Sequence, residues 1–296
     1  MAVIQGVYVA TVTPFSEKTG EVDYKAYQAH LKWLSACGVH GFVPCGTTGE
    51  GPCLSEVERK KLIELSCEEA SKRSLKVIAG CGSNSTALAL KMIQEAKEIG
   101  AHAALVVTPY YNKPTQEGLM AHYRFLADQS EIPLVLYHVP GRTNVTFQLS
   151  TLQQLFQHPN IIGIKEASGQ HSFWMGMAQT LDWKSKAILA GDDDAFALIQ
   201  QLGGKGIISA TANVDPKSFV KLYELTVKGQ WSEAFEVQKK LLPLVQAMFA
   251  ETNPSPAKEA LKLMNRMENT VRLPLVSVQT QTRETIQRTL KNAGLL

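Results

Sequence analysis

IIGIKEASG, residues 161–169, begins with an apolar run that leads directly into a lysine at position 165. Its opening Ile-Ile-Gly-Ile is typical of a parallel strand that is covered on both faces. Seven further apolar runs recur along the chain: GVYVATV (6–12), HGFVPCG (40–46), LKVIAGCG (75–82), AALVVTP (103–109), PLVLYHV (133–139), KAILAGD (186–192) and KGIISAT (205–211). Together the eight runs predict eight strands.

Helical patterns separate these runs, for example YKAYQAHLKWLSAC (24–37), SEVERKKLIELSCEEASKR (55–73) and TALALKMIQEAKEIG (86–100). Alternating strands and helices favour an α/β fold with parallel strands, as a closed barrel or an open doubly wound sheet. Eight units match the barrel, and TPFSEKTGE after the first run is not the glycine-rich phosphate turn usual in open sheets. We therefore predict a (β/α)8 TIM barrel over residues 1–228, followed by a C-terminal helical extension over 229–296.

The bulk composition is that of an ordinary globular enzyme, with 296 residues, 45% of them hydrophobic, and a formal net charge of +3. No Lys/Arg-rich block is present, so we expect no nucleic-acid partner. The five cysteines are odd in number and lack C-x-x-C spacing, so neither a disulfide framework nor a zinc finger is suggested. No apolar run is long enough to span a membrane, and the N-terminus lacks the basic start of a secretory signal. We expect a cytoplasmic protein.

Lys165 is the residue of greatest chemical interest. Lysine is rarely buried, and desolvation favours the neutral, nucleophilic form of an amine. Such an amine can form a Schiff base with a carbonyl substrate. The alternatives are a lysine that points outward, towards the helices, and one that is paired with Glu166. Because active sites in barrels lie at the carboxyl ends of the strands, the other strand ends are the places to look for its partners.

Two other strand ends carry three polar features. Tyr137 is predicted on the strand next to that of Lys165, where its hydroxyl can transfer protons or simply be a core group. The turn Gly46-Thr47-Thr48-Gly49-Glu50 offers backbone N–H groups and two hydroxyls to a carboxylate, or is a plain turn. Arg142 lies in a Pro-Gly turn, where it can grip a second carboxylate or be an ordinary surface arginine.

The remaining strand-end residues suggest no metal or cofactor. Asp192, Asp193 and Asp194 are hard oxygen ligands, but we interpret them as a polar turn that caps the following helix. No histidine pair suggests a transition metal. Cys45 and Cys81 are interpreted as packing residues.

Taken together, these residues resemble the dihydrodipicolinate synthase branch of the N-acetylneuraminate lyase superfamily. The resemblance covers essentially the whole chain. It is carried by VTPF (12–15), GTTGE (46–50), VVTPYYNKPTQEGL (106–119), YHVPGRT (137–143), IIGIKEASG (161–169), AGDDD (190–194), GGKGIISATANV (203–214), NPSPAK (253–258) and RLPL (272–275).

The resemblance implies a class I aldolase that condenses pyruvate with L-aspartate 4-semialdehyde to 4-hydroxy-tetrahydrodipicolinate, in lysine and diaminopimelate biosynthesis. Lys165 would form the Schiff base and Tyr137 would be the central acid/base. Thr47 and Thr48 would bind the pyruvate carboxylate, with Thr48 also in a proton relay that Tyr111 completes from a neighbouring subunit. Arg142 would bind the aldehyde's carboxylate, and the Ile208 carbonyl would line the site. Members are commonly homotetramers, built as dimers of tight dimers.

The chain departs from the family pattern in two places. His138 stands where members more usually carry Asn. Asn84 and Tyr110 match the pocket in which lysine inhibits some members, whereas Glu56, Arg59 and Leu88 do not. Leu88 removes a carboxylate that would receive the effector's ammonium group, so we expect weak or absent inhibition by lysine.

Two alternatives to this function remain at the level of sequence. One is a pyruvate-dependent lyase for a keto-sugar acid or a related 2-oxo acid. The other is a barrel that senses pyruvate or serves as a scaffold without turnover.

Overall fold

The computed structural model describes residues 4–296, so the first three residues of the predicted barrel region lie outside it. The strands are β1 (Gly6–Val9), β2 (Gly41–Phe42), β3 (Lys76–Gly80), β4 (Ala103–Val107), β5 (Leu134–His138), β6 (Ile161–Glu166), β7 (Ala187–Ala190) and β8 (Gly206–Ser209). They form a closed parallel barrel in sequence order. The predicted (β/α)8 fold is confirmed.

Every predicted run contains a strand, but β2 is much shorter than its run over 40–46. Gly41 has no room for a side chain, because a Cβ would lie 2.2 Å from the Lys76 carbonyl oxygen. Pro44 has no N–H to continue the ladder, and Cys45 has a positive φ of 61°. The chain therefore leaves the sheet early and enters the 46–50 turn.

Twelve α-helices accompany the strands in residues 4–296: α1 (Tyr24–Ala36), α2 (Glu56–Ser71), α3 (Thr86–Ile99), α4 (Gln116–Gln129), α5 (Pro140–Thr143), α6 (Leu149–Leu155), α7 (His171–Thr180), α8 (Phe196–Gln201), α9 (Pro216–Val227), α10 (Trp231–Met248), α11 (Ser255–Leu263) and α12 (Thr280–Asn292). Ser55 and Glu58 form the predicted capping box of α2. Gly100 ends α3 in the left-handed conformation. No described helix is long and apolar enough to cross a membrane.

Spatial contacts divide the chain into two compact units, Met1–Gly6 with Ile78–Ile208, and Val7–Val77 with Ser209–Leu296. The first contains the continuous pairing of β4, β5, β6 and β7. The second has an apolar core to which α10, α11 and α12 contribute, with Met248, Leu261 and Leu290 fully buried. The boundary at residue 228 stays a prediction.

Asn213, in the second unit, lies between the end of β1 and the residues that follow β8. Its Nδ2 donates to the carbonyls of Ala10 and Ala210, at 2.7 and 2.8 Å, and its Oδ1 accepts from the Val12 N–H and from His30. One buried amide therefore satisfies backbone groups of two neighbouring segments where regular pairing stops.

Candidate active site

Lys165 and Tyr137 are direct cross-strand partners on β6 and β5. Lys165 Nζ lies 4.4 Å from the centroid of the Tyr137 ring, and the two residues are only 6% and 7% exposed. Lys165 therefore does not point outward into solvent. A cation this close to an aromatic face interacts favourably with it, which holds the amine beside the tyrosine.

The next cross-strand pair, His138 and Glu166, lies on the opposite face of the strands, because side chains alternate along a strand. The Nδ1 of His138 and Oε2 of Glu166 are 2.6 Å apart, and neither side chain is exposed. The other oxygen, Oε1, accepts from the Ser168 N–H and from Trp174 Nε1, at 2.8 and 3.2 Å. The Phe147 N–H donates to His138 Nε2, which leaves the ring proton on Nδ1.

Glu166 is thus bound by other donors and is not the partner of Lys165. Sequence reasoning missed this pair, although a polar residue directly after each of Tyr137 and Lys165 was visible. The signal in the sequence was that His138 and Glu166 occupy matching positions on neighbouring predicted strands, where side chains can pair.

Asp192 follows β7, and the charge of Lys165 acts on its carboxyl. Burial, and next the neighbouring charge of Asp194, raise the pKa of Asp192 to about 6, while the Lys165 cation opposes that rise. Its side chain makes no capping hydrogen bond. Asp192 thus occupies the N-cap position of the short 3-10 helix Asp193–Ala195, as the interpretation of a polar turn predicts, but its half-buried carboxyl does not cap that helix.

Gly191 makes the close approach of β6 and β7 possible at this point. A Cβ on Gly191 would lie 3.0 Å from Lys165 Cγ and 2.9 Å from the Glu166 carbonyl oxygen. A side chain at this position would therefore displace the lysine.

Within the other unit, the 46–50 turn is closed by its own backbone. The N–H groups of Gly49 and Gly51 donate to the Gly46 carbonyl, and that of Glu50 donates to the Thr47 carbonyl. Throughout residues 4–296, the N–H groups of Thr47 and Thr48 donate no hydrogen bond. They are the donors that the turn leaves for a ligand.

The C-terminal segment supports this turn. Asn253 Nδ2 donates to Thr48 Oγ1 at 2.9 Å, and Lys258 Nζ donates to Glu50 Oε1 at 2.7 Å. The Arg272 N–H donates to Glu50 Oε2 at 2.9 Å. Burial lowers the pKa of Lys258 to about 8, against the opposing effect of Glu50. In the sequence, NPSPAK and RLPL were visible only as family motifs. No contact of Asn253, Lys258 or Arg272 was predicted from them.

Arg272 also forms a bidentate pair with Glu58. Hydrogen bonds from Arg272 lower the pKa of Glu58 to about 2. The guanidinium carbon lies 4.2 Å from the centroid of the Phe15 ring. One arginine thus links α2 and the 46–50 turn to the segment that precedes α12.

The other residues singled out in the sequence differ in exposure. Arg142 is exposed in the short helix α5, and Tyr111 is 89% exposed with a positive φ of 71°. Ile208 is fully buried on β8. The Asn84 carbonyl accepts from Asn112 Nδ2 at 2.8 Å, close in sequence to the half-buried Tyr110.

In the pocket positions that depart from the family, Glu56 pairs with Lys60, Arg59 is buried, and Leu88 is 49% exposed. Cys45 and Cys81 are buried and lie outside any disulfide in residues 4–296, as the packing interpretation requires. No group of three His, Cys, Asp or Glu residues in the described part of the chain is placed to hold a metal ion.

The closed barrel, with a buried lysine and a tyrosine at the carboxyl ends of adjacent strands, defines a (β/α)8 barrel of the enzymatic type. A sequence model of the dihydrodipicolinate synthetase family matches residues 3–293. The chain belongs to this family, and the prediction of an enzyme of the lyase class is confirmed.

Among curated relatives, the 4-hydroxy-tetrahydrodipicolinate synthase of Thermodesulfovibrio yellowstonii is 45% identical over 292 residues, covering 99% of each chain. The crystal structure of dihydrodipicolinate synthase from Thermotoga maritima is 39% identical, covers 100% of both chains and has a TM-score of 0.97. The chloride-inhibited enzyme from Acinetobacter baumannii, complexed with pyruvate, is also 39% identical, with a TM-score of 0.95 and coverage of 99% and 100%. A further structure, with a TM-score of 0.96, 39% identity and coverage of 99% and 98%, is described as a monomeric dihydrodipicolinate synthase variant.

Proposed function

We propose that this chain is a class I aldolase that condenses pyruvate with L-aspartate 4-semialdehyde to 4-hydroxy-tetrahydrodipicolinate, in lysine and diaminopimelate biosynthesis. The observation that supports this most strongly is the buried Lys165 held against Tyr137. A nucleophilic amine next to a hydroxyl that can donate and accept protons is what Schiff-base chemistry requires.

Lys165 Nζ attacks the carbonyl carbon of pyruvate, and loss of water from the carbinolamine gives an iminium ion. The iminium withdraws electrons, so a methyl proton can leave and an enamine forms. The enamine carbon then forms the new C–C bond with the aldehyde carbon. The product is a ring, so the amino group of the second substrate closes it on the iminium carbon and releases Lys165 Nζ.

Proton transfers to and from the carbinolamine belong to Tyr137. Thr48 and Tyr111 join Tyr137 in a proton relay. Tyr111 is supplied by a neighbouring subunit of a homotetramer. The high exposure of Tyr111 in a single chain is compatible with that role.

The two substrates each carry a carboxylate, and the chain offers a receptor for each. The free N–H groups of Thr47 and Thr48, with their hydroxyls, bind the carboxylate of pyruvate. Arg142 binds that of the aldehyde. The Ile208 carbonyl lines the site.

The decisive experiment is borohydride reduction with pyruvate, read by mass spectrometry of the intact protein and its peptides. We expect one reduced pyruvate adduct on Lys165, and none in a folded Lys165→Ala variant. Lys186, half-buried and with its Nζ bonded to the Ile161 carbonyl, is the matched control: Lys186→Ala should keep the adduct. A panel of aldehydes with pyruvate then tests the second substrate. An adduct elsewhere, or turnover without Lys165, would exclude the proposal.

A further inference from the structure

The hydroxyl of Thr48 has a defined hydrogen-bond direction. Asn253 Nδ2 donates to its oxygen at 2.9 Å, and the two residues are only 3% and 5% exposed. An amide N–H can only donate, so the hydroxyl accepts in this bond and keeps its own proton for another acceptor. In the described chain no other side chain takes that proton.

The amide of Asn253 is itself incompletely bonded. Its Oδ1 is buried, and within residues 4–296 no donor reaches it. Buried polar atoms are almost always paired, so an unpaired carbonyl oxygen beside a free hydroxyl proton marks a place where a ligand or an ordered water completes the bonding.

The segment that carries Asn253 is firmly held. The Lys258 N–H donates to the Pro254 carbonyl, and Lys258 Nζ donates to Glu50. Asn253 and Lys258 thus contact the 46–50 turn at Thr48 and at Glu50, two residues apart. The amide is therefore fixed relative to the hydroxyl that it contacts.

We propose that Asn253 is a positioning residue, which orients the Thr48 hydroxyl so that its single proton is donated to the pyruvate carboxylate. The proposal rests on the proposed function. A hydrogen bond received by the oxygen polarises the O–H bond, so the hydroxyl donates more strongly. Asn253 acts only through Thr48 and does not itself touch the reacting atoms.

A double-mutant cycle tests this, with the rate of trapped adduct formation at sub-saturating pyruvate as the readout. Asn253→Ala should lower that rate about tenfold, which corresponds to about 1.4 kcal/mol. In a Thr48→Val background, which lacks the hydroxyl, Asn253→Ala should have no further effect. An equal loss in both backgrounds, or no loss in either, would overturn the proposal.

Asn253→Asp has nearly the same shape and reverses the bond, because a carboxylate only accepts. It should lower the rate more than Asn253→Ala does, since it takes the hydroxyl proton and repels the substrate's carboxylate. It also serves if Asn253→Ala does not fold. A rate above that of Asn253→Ala, or a rate equal to that of the wild type where Asn253→Ala does not fold, would contradict the assigned direction.

The control is Asn160→Ala. Asn160 Nδ2 also donates to protein oxygens, but these are the carbonyls of Ser130 and Ile132, and Asn160 lies just before β6. The rate of adduct formation in Asn160→Ala should equal the wild-type rate. A tenfold loss in Asn160→Ala would show that removing any such amide lowers the rate, and would overturn the proposal. If the wild-type protein forms no adduct, the proposed function fails; if Asn253→Ala forms it at the normal rate, only this inference fails.

Discussion

His138 and Glu166 form a fully buried pair, joined by a bond of 2.6 Å between Nδ1 and Oε2, directly behind the cross-strand pair of Tyr137 and Lys165. The two pairs occupy opposite faces of the same two strands. A change in His138 or Glu166 therefore acts on the two strands that position Tyr137 and Lys165.

Glu166→Ala should lower the free energy of unfolding by about 3–5 kcal/mol, the usual cost of removing one partner of a buried pair. It leaves the donors of His138, Ser168 and Trp174 without an acceptor. Urea unfolding followed by tryptophan fluorescence measures the change. Glu166→Gln keeps one acceptor oxygen and should lose less, and Glu131→Gln, at an exposed carboxylate, should lose nothing. A Glu166→Ala protein of wild-type stability would show that the pair is not structural.

Adduct formation should rise as pH increases through about 6, the pKa of Asp192. The raised pKa means that the carboxyl is protonated below this value and ionised above it, where its charge stabilises the positive iminium on Lys165. Asp192→Asn should abolish the inflection and give the lower rate throughout. The measurement is the rate of borohydride-trapped adduct against pH. Persistence of the inflection in Asp192→Asn would assign it to another group. Asp194→Asn should move the inflection to lower pH, because the charge of Asp194 helps to raise the pKa of Asp192.

Arg142→Ala should leave the adduct with pyruvate unchanged and raise the KM for L-aspartate 4-semialdehyde about 10- to 100-fold, as expected for loss of charge-assisted hydrogen bonds. Steady-state kinetics with each substrate varied in turn separates the two effects. Arg124→Ala, on the exposed face of α4, is the matched control. Equal losses in adduct formation and in use of the aldehyde would remove the role assigned to Arg142.

Acid should weaken the bond between Glu58 and Arg272. The pKa of Glu58 in the folded chain is about 2, below its ordinary value of 4.5. The stabilisation is therefore complete above pH 4.5 and is lost as pH falls towards 2. Because the pair is partly exposed, we expect the loss to be about 1 kcal/mol or less.

Unfolding midpoints in urea across this pH range check the prediction. Glu58→Gln should flatten the pH dependence while keeping a side chain that can cap α2. Glu56→Gln, which removes the surface pair with Lys60 on the same helix, should change it little. An unaltered slope in Glu58→Gln would show that another carboxyl is responsible.

Lysine should inhibit the enzyme weakly or not at all. Leu88 provides no carboxylate for the ammonium group of lysine, and Glu56 is already paired with Lys60. Initial rates measured with added lysine test this directly. Inhibition at sub-millimolar lysine would contradict the prediction.

The local sequence pattern predicted most of the fold, because each strand is a short apolar run and helix ends have local signals such as Ser55 and Gly100. It placed Lys165 and Tyr137 on adjacent strands for the same reason. It predicted the polar turn at Asp192, but not that the Asp192 carboxyl would be half-buried without a hydrogen bond to the helix that follows. It also missed the contacts of Asn253 with Thr48 and of Lys258 with Glu50, which join residues 205 and 208 positions apart. Only the folded chain brings such residues together.

The support of the 46–50 turn by Asn253, Lys258 and Arg272 bears on how this protein can be shortened or fused. All three residues lie beyond α9, so a minimal barrel ending at residue 228 would leave the Glu50 carboxylate without the Lys258 cation and the Arg272 N–H that bind it. Protein engineers who graft this scaffold should therefore retain the chain through α12, whose Leu290 is buried in the core of the same unit, and insert cargo after it.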